Sequence, residues 1–186
     1  YFRVDQYELR HSLFAGGMGD AVVREVFERG HMAAVLPVNP ANDSVVMIEQ
    51  FRPGAYAVGW HPWLLECVAG VIEPGETASG VAGRETMEEA GCEIRHLERI
   101  AHYLSSPGAS TETVTVFVGR VDAATDGALH GLAEEGEDIR VHVLSIAQAV
   151  EMLDAGEFVN SKTIIAVNWL ARHYPQLKQR WLAADA

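Results

Sequence analysis

The chain has 186 residues, 48% of them hydrophobic, which suits one globular domain with a full core. A formal net charge of -12 at pH 7, without a basic patch, excludes the polyanionic backbone of nucleic acids as a partner. No apolar segment has the length needed to span a bilayer, so no membrane partner is expected.

Strand patterns dominate the first part of the chain. Alternating apolar residues, separated by Gly, Asn, Pro and Asp turn signals, predict strands at 2–13, 21–28, 32–37 and 44–51. The cluster Gly16-Gly17-Met18-Gly19 resembles a nucleotide-binding loop only weakly. Because a strand follows it, we interpret it as a hairpin turn.

Strands and helices are intermixed in the rest of the chain. A short apolar strand at 63–68 precedes a proline-free helix at 77–90, which Gly91 should end. Further strands are predicted at 97–104, 113–121 and 139–144, a loop at 122–138, and helices at 146–155 and 161–173. This order predicts an α/β fold in which helices cover both faces of a mixed sheet.

The cysteines and histidines give no sign of a zinc site or a disulfide framework. Cys67 and Cys92 stand alone, without a C-x-x-C spacing, and the eight histidines are scattered. Two free thiols indicate a reducing compartment, so a cytoplasmic location is expected.

Carboxylates are concentrated on the predicted helix. Glu85, Glu88 and Glu89 are spaced i, i+3 and i+4, so they share one helix face. Like charges at this spacing repel one another, and a divalent cation would neutralise them. Carboxylate oxygens favour Mg2+, with Mn2+ as the alternative, over zinc or copper. The competing interpretation is a solvated acidic helix face with Arg84 as an intrahelical partner.

The segment from Gly70 to Cys92 matches the pattern G-x5-E-x7-R-E-U-x-E-E-x-G-U, where U is apolar. Its fixed residues are Gly70, Glu76, Arg84, Glu85, Glu88, Glu89 and Gly91. This pattern resembles the Nudix box, and we call residues 70–92 the box. Thr86 and Cys92 occupy the apolar places and are small enough to be buried there. The resemblance implies a Nudix-type α/β/α sandwich at 31–186, plus an N-terminal antiparallel strand region at 1–30.

Features outside the box resemble the ADP-ribose pyrophosphatase branch of the Nudix hydrolases, and most closely its bacterial dimeric members. The segment 49–54 resembles that branch's E-Q-x-R segment, and 63–66 its strand into the box. Pro107 follows Gly91 by sixteen residues, a spacing associated with ADP-ribose specificity. The resemblance covers nearly the whole chain.

The resemblance implies a role for particular residues. The metal ligands would be the Ala69 carbonyl and the carboxylates of Glu85, Glu89 and Glu137, with Glu88 in support. Glu135, on a loop that closes over substrate, would be the general base. Arg52 would grip the diphosphate, because a guanidinium fork suits phosphate geometry. Arg84 is expected to pair with box carboxylates and hold the loop.

The substrate's two ends are assigned by resemblance as well. Tyr1 and Arg24 match positions that sandwich the adenine, partly from a neighbouring subunit, and Glu112 matches a position near the terminal ribose. The related enzymes are homodimers whose N-terminal strands cross to the partner. A strand-rich N-terminal region is compatible with that assembly.

The resulting hypothesis is a cytoplasmic, dimeric hydrolase that cleaves ADP-ribose to AMP and ribose 5-phosphate with Mg2+. Three alternatives remain open at this point. The substrate could be another nucleoside diphosphate sugar or a dinucleotide. The chain could instead be a non-catalytic module that binds ADP-ribose, although the box glutamates are intact. The third alternative is a structural acidic domain without a ligand.

Overall fold

A mixed eight-stranded sheet lies at the centre of residues 2–184, the part that the computed structural model describes, the Glu135 side chain excepted. The strands of the chain are β1 (Arg3–Leu9), β2 (Val22–Glu28), β3 (Met32–Asn39), β4 (Ser44–Phe51), β5 (Trp63–Glu66), β6 (Val68–Val71), β7 (His96–Leu104), β8 (Thr113–Arg120), β9 (Leu129–His130) and β10 (Ile139–Ser145). The helices are α1 (Pro53–Ala57), α2 (Ala78–Ala90), α3 (Ile146–Asp154) and α4 (Ser161–Ala183), with a 3-10 helix at Ala133–Glu135.

The central sheet divides between β3 and β4. The order of strands is β7-β8-β3-β4-β10-β9, and only β3 and β8 pair in parallel among the described strands. β3 and β4 pair at their hairpin end, through Val38 with Val45 and Asn39 with Ser44, and then separate. β6 pairs with the free part of β3 and β5 with the free part of β4. The chain segment that enters the box therefore fills the gap.

Helices cover both faces of the sheet, because successive strand residues point to opposite sides. Ala33 and Val35 of β3 pack in one cluster with residues of α2. Ala34 and Leu36 pack in a second cluster with residues of α3 and α4. The predicted α/β/α sandwich with a mixed sheet is confirmed.

The N-terminal strands form a separate antiparallel pair, as predicted. β1 and β2 pair from Arg3 opposite Glu28 to Leu9 opposite Val22, and a bridge between Ser12 and Met18 confirms the hairpin turn. Phe27 ties the pair to the main body, since its N–H donates to the Ala109 carbonyl at 2.8 Å. Eight large apolar residues of this N-terminal hairpin (residues 2–28) are exposed: Phe2, Val4, Tyr7, Leu9, Leu13, Phe14, Met18 and Val23.

Several element boundaries differ from the sequence prediction. The first strand ends at Leu9 rather than at residue 13, and the predicted strand 63–68 is interrupted at Cys67, where pairing passes from β4 to β3. The pattern also missed α1 and β9, because elements of five and two residues are too short to show a period.

The last helix is ten residues longer than predicted. The predicted helix ended at residue 173, whereas α4 continues through Pro175 to Ala183 although an interior proline disfavours a helix. Leu177 and Trp181, beyond the proline, are buried in the core, and this packing holds the second half in place. Neither α4 nor any other helix of residues 2–184 is long and apolar enough to cross a membrane.

Candidate active site

The box helix begins and ends at the positions that its capping residues predict. Thr77 precedes α2, and its side chain accepts a hydrogen bond from the Gly80 N–H at 3.1 Å. Gly91 follows with φ 63, the left-handed conformation that glycine adopts readily. Thr86 and Cys92 are buried, as expected for the apolar places of the box. α2 thus presents its glutamates to β6 in a defined register.

Glu89 is the most buried carboxylate of the box, with 2% of its surface exposed. Its Oε2 accepts a hydrogen bond from the Ala69 N–H at 3.1 Å, which joins α2 to β6. Burial raises the pKa of the Glu89 carboxyl to about 8, and the charges of Glu85 and Glu137 act in the same direction. The Ala69 N–H and the Arg52 guanidinium oppose that shift. Glu89 therefore lies in a pocket that is short of positive charge.

Glu85 lies directly across the backbone of Gly70. A Cβ on Gly70 would stand 1.8 Å from Glu85 Oε1, so only glycine leaves room for this carboxylate. Burial raises the pKa of Glu85; Arg84 opposes the shift, and Glu88 and Glu137 add to it. The first glycine of the box is thus explained by packing against a carboxylate.

Arg84 bonds three carboxylates of the box, as predicted. Its Nε donates to Glu76 Oε1 at 3.1 Å, and its Nη1 donates to Glu85 Oε1 at 2.9 Å and Glu88 Oε2 at 3.0 Å. Glu76 in turn accepts from the Glu73 N–H at 3.0 Å. Arg84 therefore holds the loop before α2 against the helix.

Glu137 lies at the end of a segment that contacts α2, where the Gly131 N–H donates to the Glu88 carbonyl at 3.4 Å. Its Oε1 accepts from Gln50 Nε2 at 3.3 Å and its Oε2 from the Leu132 N–H at 3.1 Å. Glu89 thus bonds the backbone of Ala69, and Glu137 lies near enough to Glu85 and Glu89 to act on both through its charge.

Other predicted site residues are not joined to this group. Tyr1 and the side chain of Glu135 lie outside the described residues; the Glu135 backbone ends the 3-10 helix. Arg24 is exposed on β2 and donates to the Val23 carbonyl at 2.8 Å. Glu112 pairs with Arg29. Among the described residues, neither Arg24 nor Glu112 bonds a box carboxylate.

Arg52 is held by a buried carboxylate that the sequence analysis did not single out. Its Nε and Nη2 donate to Glu66 Oε2 at 2.9 and 2.6 Å, and Lys162 Nζ donates to the same oxygen at 3.1 Å. Glu66 is the one acidic residue in the apolar run 63–72. A lone charge in such a run indicates a buried, paired carboxylate, and that signal could have located it.

Comparison with known proteins identifies the family. A model of the NUDIX domain matches residues 29–166. The chain belongs to the Nudix family. It is 48% identical over 181 residues to the ADP-ribose pyrophosphatase of Escherichia coli, covering 97% of this chain and 87% of that protein. It is 41% identical over 184 residues to the ADP-ribose pyrophosphatase of Haemophilus influenzae, covering 97% and 85%. A GDP-mannose pyrophosphatase of Shigella flexneri is 34% identical over 148 residues, covering 79% and 76%.

The carboxylates of this Nudix chain fit a hard divalent cation in the chemistry of their donor atoms. All are oxygen donors, and the two most enclosed, Glu85 and Glu89, have raised pKa values caused by burial and by neighbouring negative charge. Among the described residues, no three Asp, Glu, His or Cys side chains already converge as a metal site. Arg84 accounts for part of this arrangement, because Glu85 and Glu88 both point to its Nη1.

Proposed function

We propose that this protein hydrolyses the diphosphate of ADP-ribose to AMP and ribose 5-phosphate in a Mg2+-dependent reaction. The observation that carries the proposal is similarity to ADP-ribose pyrophosphatases over 97% of the chain, with every charged residue of the Nudix box present. A non-catalytic binding module would be expected to have lost these glutamates, and a structural acidic domain would not need them.

Nudix hydrolases generally depend on divalent metals, and the proposed ligands here are oxygen donors of α2, β6 and the 131–138 loop. The Ala69 carbonyl, Glu85, Glu89 and Glu137 would hold the ions, with Glu88 in support. When bound, Mg2+ supplies charge neutralisation at the phosphoryl oxygens and lowers the pKa of a coordinated water. Metal–oxygen bonds would replace the pairing of Glu85 with Arg84, which keeps Glu76 as a partner.

The remaining residues handle the proton and the substrate. Glu135 accepts a proton from the attacking water, which adds to one phosphorus as the bond from that phosphorus to the bridging oxygen breaks. Arg52 binds the diphosphate and orients it. Glu135 lies in the segment between Gly131 and Gly136, and in the proposed reaction this segment closes over the substrate.

The two ends of the substrate would be recognised outside the box. We propose that Tyr1 and Arg24 stack on the adenine and that Glu112 lies near the terminal ribose. The ion pair with Arg29, the residue that follows the N-terminal hairpin, connects Glu112 to that hairpin. The second candidate substrate is another nucleoside diphosphate sugar, favoured by the 34% identity to a GDP-mannose pyrophosphatase.

A homodimer and a cytoplasmic location complete the proposal. The exposed apolar side chains of the N-terminal hairpin would be covered by a second copy of the chain. Cys67 and Cys92 are free and buried, in keeping with a reducing compartment.

Product analysis tests the function. The protein is incubated with ADP-ribose, GDP-mannose and a panel of other sugar nucleotides, each with Mg2+ and with a chelator control. AMP and ribose 5-phosphate from ADP-ribose alone are expected. Preferential cleavage of another panel member would contradict the assignment of ADP-ribose as the substrate. The absence of metal-dependent cleavage would contradict the assignment of the protein as a hydrolase.

Glu135→Gln tests the base in the same assay. Glutamine keeps the size of the side chain and removes its basicity, so kcat should fall at least about a hundredfold while substrate and Mg2+ affinities stay near the wild-type values. Glu134→Gln, the adjacent change, is the matched control. Unchanged turnover in Glu135→Gln would exclude this residue as the base.

A further inference from the structure

Glu66 binds two cations through one carboxylate oxygen. Its Oε2 accepts from Arg52 Nε, Arg52 Nη2 and Lys162 Nζ at 2.9, 2.6 and 3.1 Å. Only 2% of Glu66 is exposed, and the side chains of Arg52 and Lys162 are 30% and 14% exposed. A carboxylate that is buried so deeply must be paired with a positive charge. Glu66 has two cationic partners, one more than neutralisation of its single negative charge requires.

The fold brings Lys162 to this place from 96 residues away in sequence. Asn160 caps α4 by accepting from the Thr163 N–H at 3.0 Å. Thr163 Oγ1 then accepts from the N–H of Cys67, the residue after Glu66, at 2.9 Å. These two bonds join the first turn of α4 to the junction of β5 and β6. The position of Lys162 is therefore built into the framework.

The charge balance of the three residues has a consequence for Arg52. A simple Arg52–Glu66 pair would be neutral, and the carboxylate would compete with any phosphate for the guanidinium. Lys162 shares the same oxygen, so the group of Arg52, Glu66 and Lys162 carries a net charge of +1. Within this group, Arg52 lies close enough to the box for its charge to act on Glu89. The guanidinium is thus held in place without being neutralised.

We infer that Lys162 and Glu66 are positioning residues that hold Arg52 towards the diphosphate and keep its positive charge available for substrate. The inference rests on the proposed function for the role of Arg52. It adds β5 and α4 to a site otherwise built from Arg52, β6, α2 and the 131–138 loop. Lys162 acts through Glu66 and Arg52 rather than on the reacting atoms.

Lys162→Met tests this role, with Lys178→Met as the matched control. Both lysines lie on α4 and pair with a carboxylate, but Lys178 binds Asp43 about 24 Å farther along the helix. Loss of one charge from a partly buried site should raise the KM for ADP-ribose about tenfold in Lys162→Met and change kcat by less than about twofold. Lys178→Met should leave both constants unchanged, and Lys162→Arg should restore the KM.

A double variant separates charge from structure. Lys162→Met combined with Glu66→Gln removes both partners' charges and leaves Arg52 with its full +1, so anion affinity should recover relative to Lys162→Met alone. A residue with a purely structural role would give a double variant no better than the single one. Thermal unfolding of each variant checks that it is folded.

Binding of inorganic diphosphate to chelator-treated protein supplies a readout that does not need turnover. Calorimetry should show weaker diphosphate binding in Lys162→Met, with recovery in the double variant. If wild-type protein bound diphosphate in this way but cleaved no ADP-ribose, the proposed function would fail while the inference stood. Equal KM values and equal diphosphate affinities in wild type and Lys162→Met would overturn the inference.

Discussion

At the scale of single residues, the candidate site depends on a glycine at position 70. Gly70 lies under Glu85, and a methyl group there would overlap the carboxylate, with 1.8 Å to Oε1, 2.2 Å to Cδ and 2.5 Å to Cγ. Burial and the neighbouring carboxylates raise the pKa of both Glu85 and Glu89, so their charged forms repel one another and are disfavoured without a cation. Metal binding would relieve that repulsion, so close packing and metal affinity have a common origin.

Gly70→Ala should therefore damage metal binding more than folding. The new methyl group displaces Glu85, so the Mg2+ concentration for half-maximal activity should rise at least about tenfold. Gly83→Ala is the control, because its Cβ meets nothing within 4 Å and alanine favours the helix interior. A Mg2+ titration of activity, with thermal unfolding beside it, makes the comparison; an unshifted titration for Gly70→Ala would contradict the packing argument.

Glu89 predicts a pH dependence of stability in metal-free protein. The ordinary pKa of a glutamate is 4.5, whereas the pKa of Glu89 in the folded protein is about 8. Between these two pH values the folded state therefore binds a proton that the unfolded state has released. The contribution of Glu89 to stability is therefore full below about pH 4.5 and is lost as the pH rises through about 8. Denaturant unfolding with chelator at several pH values should show this decline, and Glu89→Gln should remove much of it. A variant with the same slope as wild type would show that another group titrates.

The sequence could predict that residues act together only where those residues lie on one element with a regular spacing. Glu85, Glu88 and Glu89 lie on one helix, so their spacing identifies their common face. Lys162 and Glu66 belong to elements 96 residues apart, and no spacing relates them. Their pairing depends on how α4 docks at the junction of β5 and β6, which only the tertiary structure supplies.

At the scale of elements, local chemistry predicts helix ends better than strand partners. Thr77 and Gly91 bound α2 as their capping preferences indicate. The separation of β3 and β4 and the parallel pairing of β3 with β8 depend on long-range contacts that alternation does not encode. α4 extends ten residues beyond its predicted end, because burial of Leu177 and Trp181 outweighs the helix-breaking tendency of Pro175.

Pro175→Ala should stabilise the protein, because Pro175 lies inside α4, where proline disfavours the helix. Alanine would supply an N–H for the helix and remove a ring that crowds the preceding turn. The gain is partly offset because the unfolded chain becomes more flexible without the proline. The expected net increase in the free energy of unfolding is about 1–2 kcal/mol. Pro175 is exposed, so no core contact is lost, and Gln176→Ala at the next exposed position is the control. Chemical denaturation measures both, and a less stable Pro175→Ala would show that the proline fits a bend that the core requires.

At the scale of the whole molecule, the divided sheet explains where the site lies. Because β3 and β4 separate, β5 and β6 enter between them and carry Glu66 and Ala69 into the centre of the sheet. α2 covers the gap from one face, and the first turn of α4 reaches it from the other. The proposed metal-binding carboxylates are thereby held by α2, and the Arg52 group is held by the first turn of α4.

The N-terminal hairpin gives the last prediction, which concerns assembly. Val4 and Val23 are 63% and 52% exposed on a two-stranded sheet that the main body leaves largely uncovered. In a homodimer these side chains would be buried, so Val4→Lys with Val23→Lys should shift the protein from dimer to monomer in analytical ultracentrifugation. Leu182→Lys, at an exposed leucine near the end of α4, is the control and should stay dimeric. Wild-type protein that sediments as a monomer across the micromolar range would contradict the assembly. If the double variant becomes monomeric and also loses ADP-ribose affinity while retaining its Mg2+ titration, the partner contributes to the adenine end rather than to the metal site.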